Sequence, residues 1–242
     1  MVKLKVYLIC SFSLICLFLF GGLLYAAITE TSSVATVSEK AAADPRPVVV
    51  IDAGHGGEDS GAVDNGLYEK DINLNIALML RDMLEINGYD VVMTRDSDRS
   101  IYDDSANTTR EKKVSDLKNR VSIINRDSRQ ILVSIHQNKF EQPQYFGTQL
   151  FYASQVKDSE ILAEQIRSSV TGLLQPDNKR ELKPADDSIY ILKQAEVPSV
   201  IVECGFLSNA EEAKKLSQRD YQQQMAFAIY CGITGYADQK QG

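Results

Sequence analysis

This chain of 242 residues contains only two histidines, His55 and His136, and each stands where an apolar, β-branched run gives out. The first follows Val48-Val49-Val50-Ile51-Asp52-Ala53-Gly54 and the second follows Ile131-Leu132-Val133-Ser134-Ile135. In an open α/β sheet, ligands and chemistry collect beyond the carboxyl ends of strands. Two imidazoles and one carboxylate can bind zinc and leave a fourth position to water. Two carboxylates are placed for such work. Glu69 opens an expected helix, and Glu203 ends the expected strand Ser199-Val200-Ile201-Val202.

Each of these residues has a plainer reading. His55 lies among Gly54, Gly56 and Gly57, which permit unusual backbone angles and close approach. A dinucleotide fingerprint is the rival for this segment. It fails because Asp59 stands at the third glycine position, Glu58 and Asp59 repel phosphate, and the helix starts too late to offer its N-terminus. Metal ligation suits His55 better. Glu69 can serve simply as a first-turn carboxylate stabilising the helix dipole, or it can complete a set of two histidines and one carboxylate. Glu203 terminates an apolar run, where an unpartnered carboxylate is costly. A carboxylate of raised pKa there can act as general base and then as general acid in amide hydrolysis. Cys204 invites a thiol-hydrolase reading, but neighbouring strand residues point to opposite faces, so Cys204 turns away if Glu203 faces the site. Asp52 is a candidate acceptor for a ring N–H or a local cap, Asn138 a substrate contact or a turn former, and Lys70 a solvated charge.

The elements that must position these groups alternate. Expected strands are 48–52, 90–94, 131–135, 148–152 and 199–203; expected helices are 69–86, 112–126, 157–174 and 219–236, with a shorter one at 209–216. In the first helix Ile72, Ile76, Met79, Leu80 and Met83 recur at helical spacing, and Asn87-Gly88 ends it. This alternation predicts a mostly parallel sheet covered on both faces. The polar stretch Ser97–Lys113 is long for a connection.

Composition is that of a globular protein, with 44% hydrophobic and 24% charged residues. A net charge of −7 is a poor match for nucleic acid, which Lys and Arg hold. Residues 1–28 differ: Lys3 and Lys5 precede an uncharged apolar run from Tyr7 to Ile28. Its length suits an N-in membrane anchor, and Ser33-Val34-Ala35 leaves open a cleaved signal peptide. Either way the remainder is expected outside the cytoplasm. Residues 29–46 read as a flexible stalk and 47–238 as one catalytic domain. Cys10 and Cys16 lie in the apolar run. Cys204 and Cys231 lie in the domain, where buried free thiols are expected and a single bridge is the alternative.

Four segments, in order, carry a resemblance: Ile51-Asp52-Ala53-Gly54-His55-Gly56-Gly57, Gly66-Leu67-Tyr68-Glu69-Lys70-Asp71, Ser134-Ile135-His136-Gln137-Asn138, and Val202-Glu203-Cys204-Gly205-Phe206-Leu207-Ser208-Asn209. Over about 47–237 the chain resembles the zinc-dependent N-acetylmuramoyl-L-alanine amidases of the amidase type 3 family. The resemblance implies a single α/β domain with a mixed, mostly parallel sheet and helices on both faces. It also implies Zn2+ held by His55, Glu69 and His136, and Glu203 as the catalytic base and acid. Ser115–Val121, Ser134–Phe140 and Leu174–Pro184 look like the germination-specific branch of endospore formers. That branch strips stem peptides from spore-cortex muramic acid ahead of a muramic acid deacetylase and muramic-δ-lactam formation. Lys139 departs from the wider family, where a small residue commonly follows the Asn. A zinc peptidase of cross-link peptides and a non-catalytic peptidoglycan-binding protein are the alternatives, and pure binding does not require Glu203. An exported wall hydrolase needs restraint, so an accessory activating protein is expected. Ser97–Lys113 and Asn178–Lys183 are its candidate surfaces, or surfaces for glycan.

Overall fold

The structure is a computed structural model that describes residues 46–241. The expected anchor (1–28) and all of the stalk except Arg46 lie outside the described residues. Among the described residues no helix is long and apolar enough to cross a membrane.

The strands are β1 (Val48–Ala53), β2 (Val63–Asp64), β3 (Leu67–Tyr68), β4 (Val91–Met93), β5 (Gln130–Asn138), β6 (Gln149–Tyr152), β7 (Lys183–Pro184) and β8 (Ser199–Phe206). The helices are α1 (Glu69–Ile86), α2 (Thr109–Ile124), α3 (Ser159–Leu173), α4 (Tyr190–Gln194), α5 (Ala210–Leu216) and α6 (Arg219–Gln241). Six strands form one sheet in the order β4-β1-β5-β8-β6-β7, and β2 and β3 form a separate hairpin. β4, β1, β5 and β8 are parallel neighbours, whereas β6 runs antiparallel to β8. The sheet is mostly parallel, as the alternation predicts, and mixed, as the resemblance implies.

All six residues of β1 are buried, which a strand covered on both faces requires. Alternate residues serve different layers. Val49 and Ile51 pack with α1, α3 and α6 through Ile76, Leu80, Ile166 and Ile229. Val50 packs on the other face with Leu132, Ile201, Ile124 of α2 and Leu192 of α4.

Sequence and structure differ at several places. β5 and β8 each run three residues past their expected ends, so His136 and Glu203 lie inside strands. β1 stops at Ala53, opposite Ile135. β5 and β8 continue together to the pair Asn138–Phe206 across a register shift. The overhang bares one edge of β5. The β2–β3 hairpin, β7 and α4 are too short for periodicity to register. α2 begins at Thr109 rather than 112 because Thr108 and Glu111 form a capping box. Replacing Thr108 by Ala should therefore lower stability by about 1 kcal/mol. A denaturant midpoint unchanged from wild type would show that the cap contributes nothing.

Candidate active site

The chain leaves β1 through α1 to reach β4 on one side, then crosses through α2 to β5 on the other. The carboxyl ends of β1 and β5 thus flank a topological switch point, where open sheets form crevices. His55 lies just beyond β1 and His136 lies on β5. Their ring centroids are 5.0 Å apart at 74°. Glu69 enters between them from the first turn of α1, with its Oε1 3.2 Å from His55 Nε2 and 2.8 Å from His136 Nδ1. One donor atom from each residue falls within 4.8 Å of the others. This set can hold a metal ion.

Glu203 is the strand partner of His136 on β8, so both side chains occupy one face. Its Oε2 is buried, and no donor among the described residues reaches it. All four residues singled out by sequence are therefore gathered at one strand edge.

Backbone and charge hold them there. His55 adopts a left-handed φ of 63°, uncommon for a side chain without local reason. Two buried guanidinium groups fix the carbonyls around it. Arg95 donates to Ala53 O (2.8 Å) and Gly54 O (3.0 Å), and Arg120 donates to Ala53 O (3.0 Å) and His55 O (2.7 Å). Gly54 admits the ring of His136 against the backbone, since a Cβ there would lie 2.2 Å from His136 Nε2. Glu69 accepts from the backbone N–H of Ala62 (2.7 Å) and Gln137 (3.1 Å) and from Asn73 Nδ2 (3.3 Å).

The two carboxylates are driven in opposite directions. Burial raises both. Hydrogen bonds with His136 and His55 overcome it at Glu69 and hold that carboxyl far below its usual range. Glu203 has no such bonds, and burial, opposed by His136 and His55 and assisted by Glu69, leaves it raised to about 7. At His55, burial works to lower the pKa, but hydrogen bonds with Asp59 and Glu69 prevail and raise it to about 9.

Of the second-tier residues, Lys70 is corrected, Asp52 takes neither a ring N–H nor a local cap, and Asn138 keeps its structural reading. Asp52 makes no hydrogen bond with either histidine ring. It accepts from Arg120 Nη1 (2.5 Å), Thr94 (2.7 Å) and Ser134 (2.6 Å), forming a buried ion pair beneath the loop. The ring N–H partner is Asp59, 2.9 Å from His55 Nδ1, the outer contact typical of ligand histidines. Lys70 is not solvated. It bonds Gly57 O (2.9 Å) and Asp98 (2.7 Å), with 17% of its side chain exposed. Asn138 shapes the chain, its carbonyl accepting from Leu207 N–H at 2.8 Å. Cys204 faces away as the pleat requires. It lies in the core, with its thiol pushed up by burial. Cys204 and Cys231 are both free.

Sequence reasoning missed Asp59, Asn73, Arg95 and Arg120 as supporting residues. A signal existed for Arg120. It sits on the apolar stripe Leu117–Val121–Ile124, with Asp116 four residues before it.

The family profile of the amidase type 3 family, N-acetylmuramoyl-L-alanine amidase, matches residues 49–235. This chain belongs to that family. Its activity is therefore hydrolysis of the amide between N-acetylmuramic acid and L-alanine in peptidoglycan. The germination-specific N-acetylmuramoyl-L-alanine amidase of Bacillus subtilis is 34% identical, over 80% of this chain and 81% of that protein. Among solved structures, the CwlD amidase from Clostridioides difficile in complex with the GerS lipoprotein is 44% identical with a TM-score of 0.77, over 80% of this chain and all of that one. AmiC2 of Nostoc punctiforme is 33% identical with a TM-score of 0.67, over 79% of this chain and 97% of that one.

A divalent metal entering this cluster must displace the proton of His55. That proton is held up to about pH 9, so affinity is lost as pH falls below 9. Apparent affinity should rise about tenfold per pH unit from 6 towards 9 and then level. Zinc titration of the metal-free protein against a calibrated chelator measures this, and a flat profile between pH 6 and 9 would contradict it.

Proposed function

We propose that the chain is a zinc-dependent amidase of the spore cortex in which His55, Glu69 and His136 hold the metal and Glu203 moves the protons. The observation that carries this reading is the convergence of three donors beside a buried carboxylate oxygen that no group among the described residues satisfies. Two imidazole nitrogens and a carboxylate oxygen are a donor set that zinc accepts with a position left open. Zinc bound there supplies Lewis-acid polarisation of the amide carbonyl and a nucleophile usable at neutral pH.

The protein's own groups do the rest. Asp59 fixes the His55 ring so that Nε2 faces Glu69 and Nδ1–H points outward. Glu203, raised to about 7, accepts a proton as the attack proceeds and returns it to the departing alanine nitrogen. A pKa near the working pH serves both transfers.

Likeness to the germination-specific and CwlD amidases supports the cortex as substrate. Muramic acid freed of its peptide is open to N-deacetylation and lactam closure, so a muramic acid deacetylase acts next. The CwlD structure contains the GerS lipoprotein, and a comparable accessory protein is the reading for this chain. Export follows from residues 1–28 as anchor or signal peptide and 29–46 as stalk, with 47–238 as the catalytic domain.

Replacing His55 or His136 by Ala should abolish stoichiometric zinc and activity together. Glu203→Gln should keep zinc and fold but lose about 10²–10⁴-fold in turnover. Metal analysis and mass spectrometry of digested cortex peptidoglycan check both, with intact stem peptides as the expected product. Thiol alkylation that kills the enzyme while zinc stays bound, or near-normal turnover by Glu203→Gln, would overturn these assignments.

A further inference from the structure

The cations around the glycine loop and the hairpin are neutralised by carboxylates: Lys70 by Asp98 (2.7 Å), Lys112 by Glu58 (3.0 Å), Lys113 by Asp59 (2.5 Å) and Lys139 by Asp64 (3.2 Å). Arg180 is different. Among the described residues no carboxylate makes an ion pair with it within 4.0 Å. Glu212 contributes to its electrostatic surroundings, but its oxygens are committed to the N–H groups of Gly147 (3.0 Å) and Phe206 (2.8 Å).

Arg180 is nonetheless firmly held. Its guanidinium lies 4.6 Å from the centroid of the Phe206 ring and 5.8 Å from that of Tyr145. Nε donates to Phe146 O at 2.7 Å, and Nη1 approaches Gln149 Oε1 at 3.4 Å. Nη2 makes no hydrogen bond among the described residues. A stacked, half-buried guanidinium with a donor left over is pre-organised for a planar anion.

Its place relative to the chemistry follows from strand register. Gln149 on β6 is the antiparallel partner of Glu203 on β8. Residues directly opposite share a face, with Cβ atoms about 4.5–5.5 Å apart. Arg180 thus stands one side chain beyond Glu203, on the side away from His136. One to three residues of extended peptide, at roughly 3.3–3.6 Å each, cover such a gap.

The substrate offers only one kind of partner there. The lactyl carboxyl of muramic acid is consumed in the scissile amide, so the glycan has no free carboxylate at this point. The stem peptide does.

We propose that Arg180 is a substrate-binding residue that pairs with a carboxylate of the stem peptide, laying the peptide over β6 beside Glu203. This rests on the amidase reading above. Arg180 belongs to the basic segment Asn178–Lys183, and the glycan assignment that sequence allowed for that segment gives way here to peptide.

The test uses two soluble substrates, N-acetylmuramoyl-L-alanyl-D-glutamine, whose peptide keeps the α-carboxylate, and its D-glutaminamide counterpart, whose peptide carries none, with the metal-loaded full chain. Wild type should favour the carboxylate form by about 10–100-fold in kcat/KM, expressed in KM. Arg180→Ala should raise the KM for the carboxylate substrate towards that for the amide and remove the preference. Arg180→Lys, which keeps charge but not the planar fork, should restore it only in part. Should Arg180→Ala misfold, the wild-type comparison still decides. Equal use of both substrates by wild type, or an undiminished preference in a folded Arg180 variant, overturns the assignment. An effect of Arg180→Ala seen only on activation by an accessory protein overturns it in favour of a protein interface. A wild type that releases no peptide from either substrate, and none from cortex peptidoglycan, fails the amidase reading itself.

Discussion

A carboxylate that is only 3% exposed at the mouth of a sheet is tolerable only if its surroundings supply the donors that water would. Glu69 is that group, and much of the local architecture answers to it. Ala62 N–H comes from the segment leading into the β2–β3 hairpin, Gln137 N–H from β5, and Asn73 from one turn further along α1. The two histidines close the remaining approaches. Helix, hairpin and central strand are thereby tied to one charge. Moving any of them by a few ångströms leaves a buried anion without partners, which costs more than an ordinary lost hydrogen bond.

The same logic, with the sign reversed, governs the loop after β1. Arg95 and Arg120 are 1% and 2% exposed, and their donors converge on consecutive carbonyls of residues 53–55. Burial works against the ionised form of Asp52, yet Arg120, the nearby His136 and the hydroxyls of Ser134 and Thr94 hold that carboxyl well below its usual range. Asp116 supplies the second negative charge, 2.7 Å from Arg120 Nε. The network lets the loop bend sharply under His55, whose left-handed backbone costs on the order of 1–3 kcal/mol. A loop held by its carbonyls has fewer ways to present its imidazole wrongly.

Much of this was legible before any coordinates. Scarce histidines at the ends of apolar runs, a carboxylate opening a helix and another on an apolar strand identified the four central residues. The parallel sheet followed from alternation, and α1 spans the residues its periodicity marks. Illegible were matters of mutual reach. Nothing in a run of residues says that β5 and β8 outlast β1, which is why His136 and Glu203 stand within strands. Nor could adjacency in sequence show that Asp59, not Asp52, meets His55. Asp52 and Asp59 lie at similar distances from His55 along the chain, but the strand of Asp52 points it at Ser134 and Arg120. Lys70 read as solvated because its partner Asp98 is 28 residues away. Periods of 2 and 3.6 report which face is buried, and long-range pairing of polar groups leaves almost no trace in either.

The contrast between the two carboxylates is where fold and chemistry meet. Glu69 and Glu203 face the same histidines and are both opposed by burial. They differ in donors. Those around Glu69 lock it as a permanent anion, suited to be a ligand and unsuited to carry protons. Glu203 is flanked on β8 by core residues Val202 and Cys204 and receives no donor at Oε2 among the described residues, so its proton affinity stays near neutrality. On the role proposed for it, that missing donor is functional. A serine or amide placed against Oε2 would satisfy a buried oxygen and stabilise the fold, but it would also lower the pKa and weaken the group as a proton acceptor. Separating pKa values by distributing donors unequally, rather than by using different residue types, lets one strand edge hold both a fixed charge and a mobile proton.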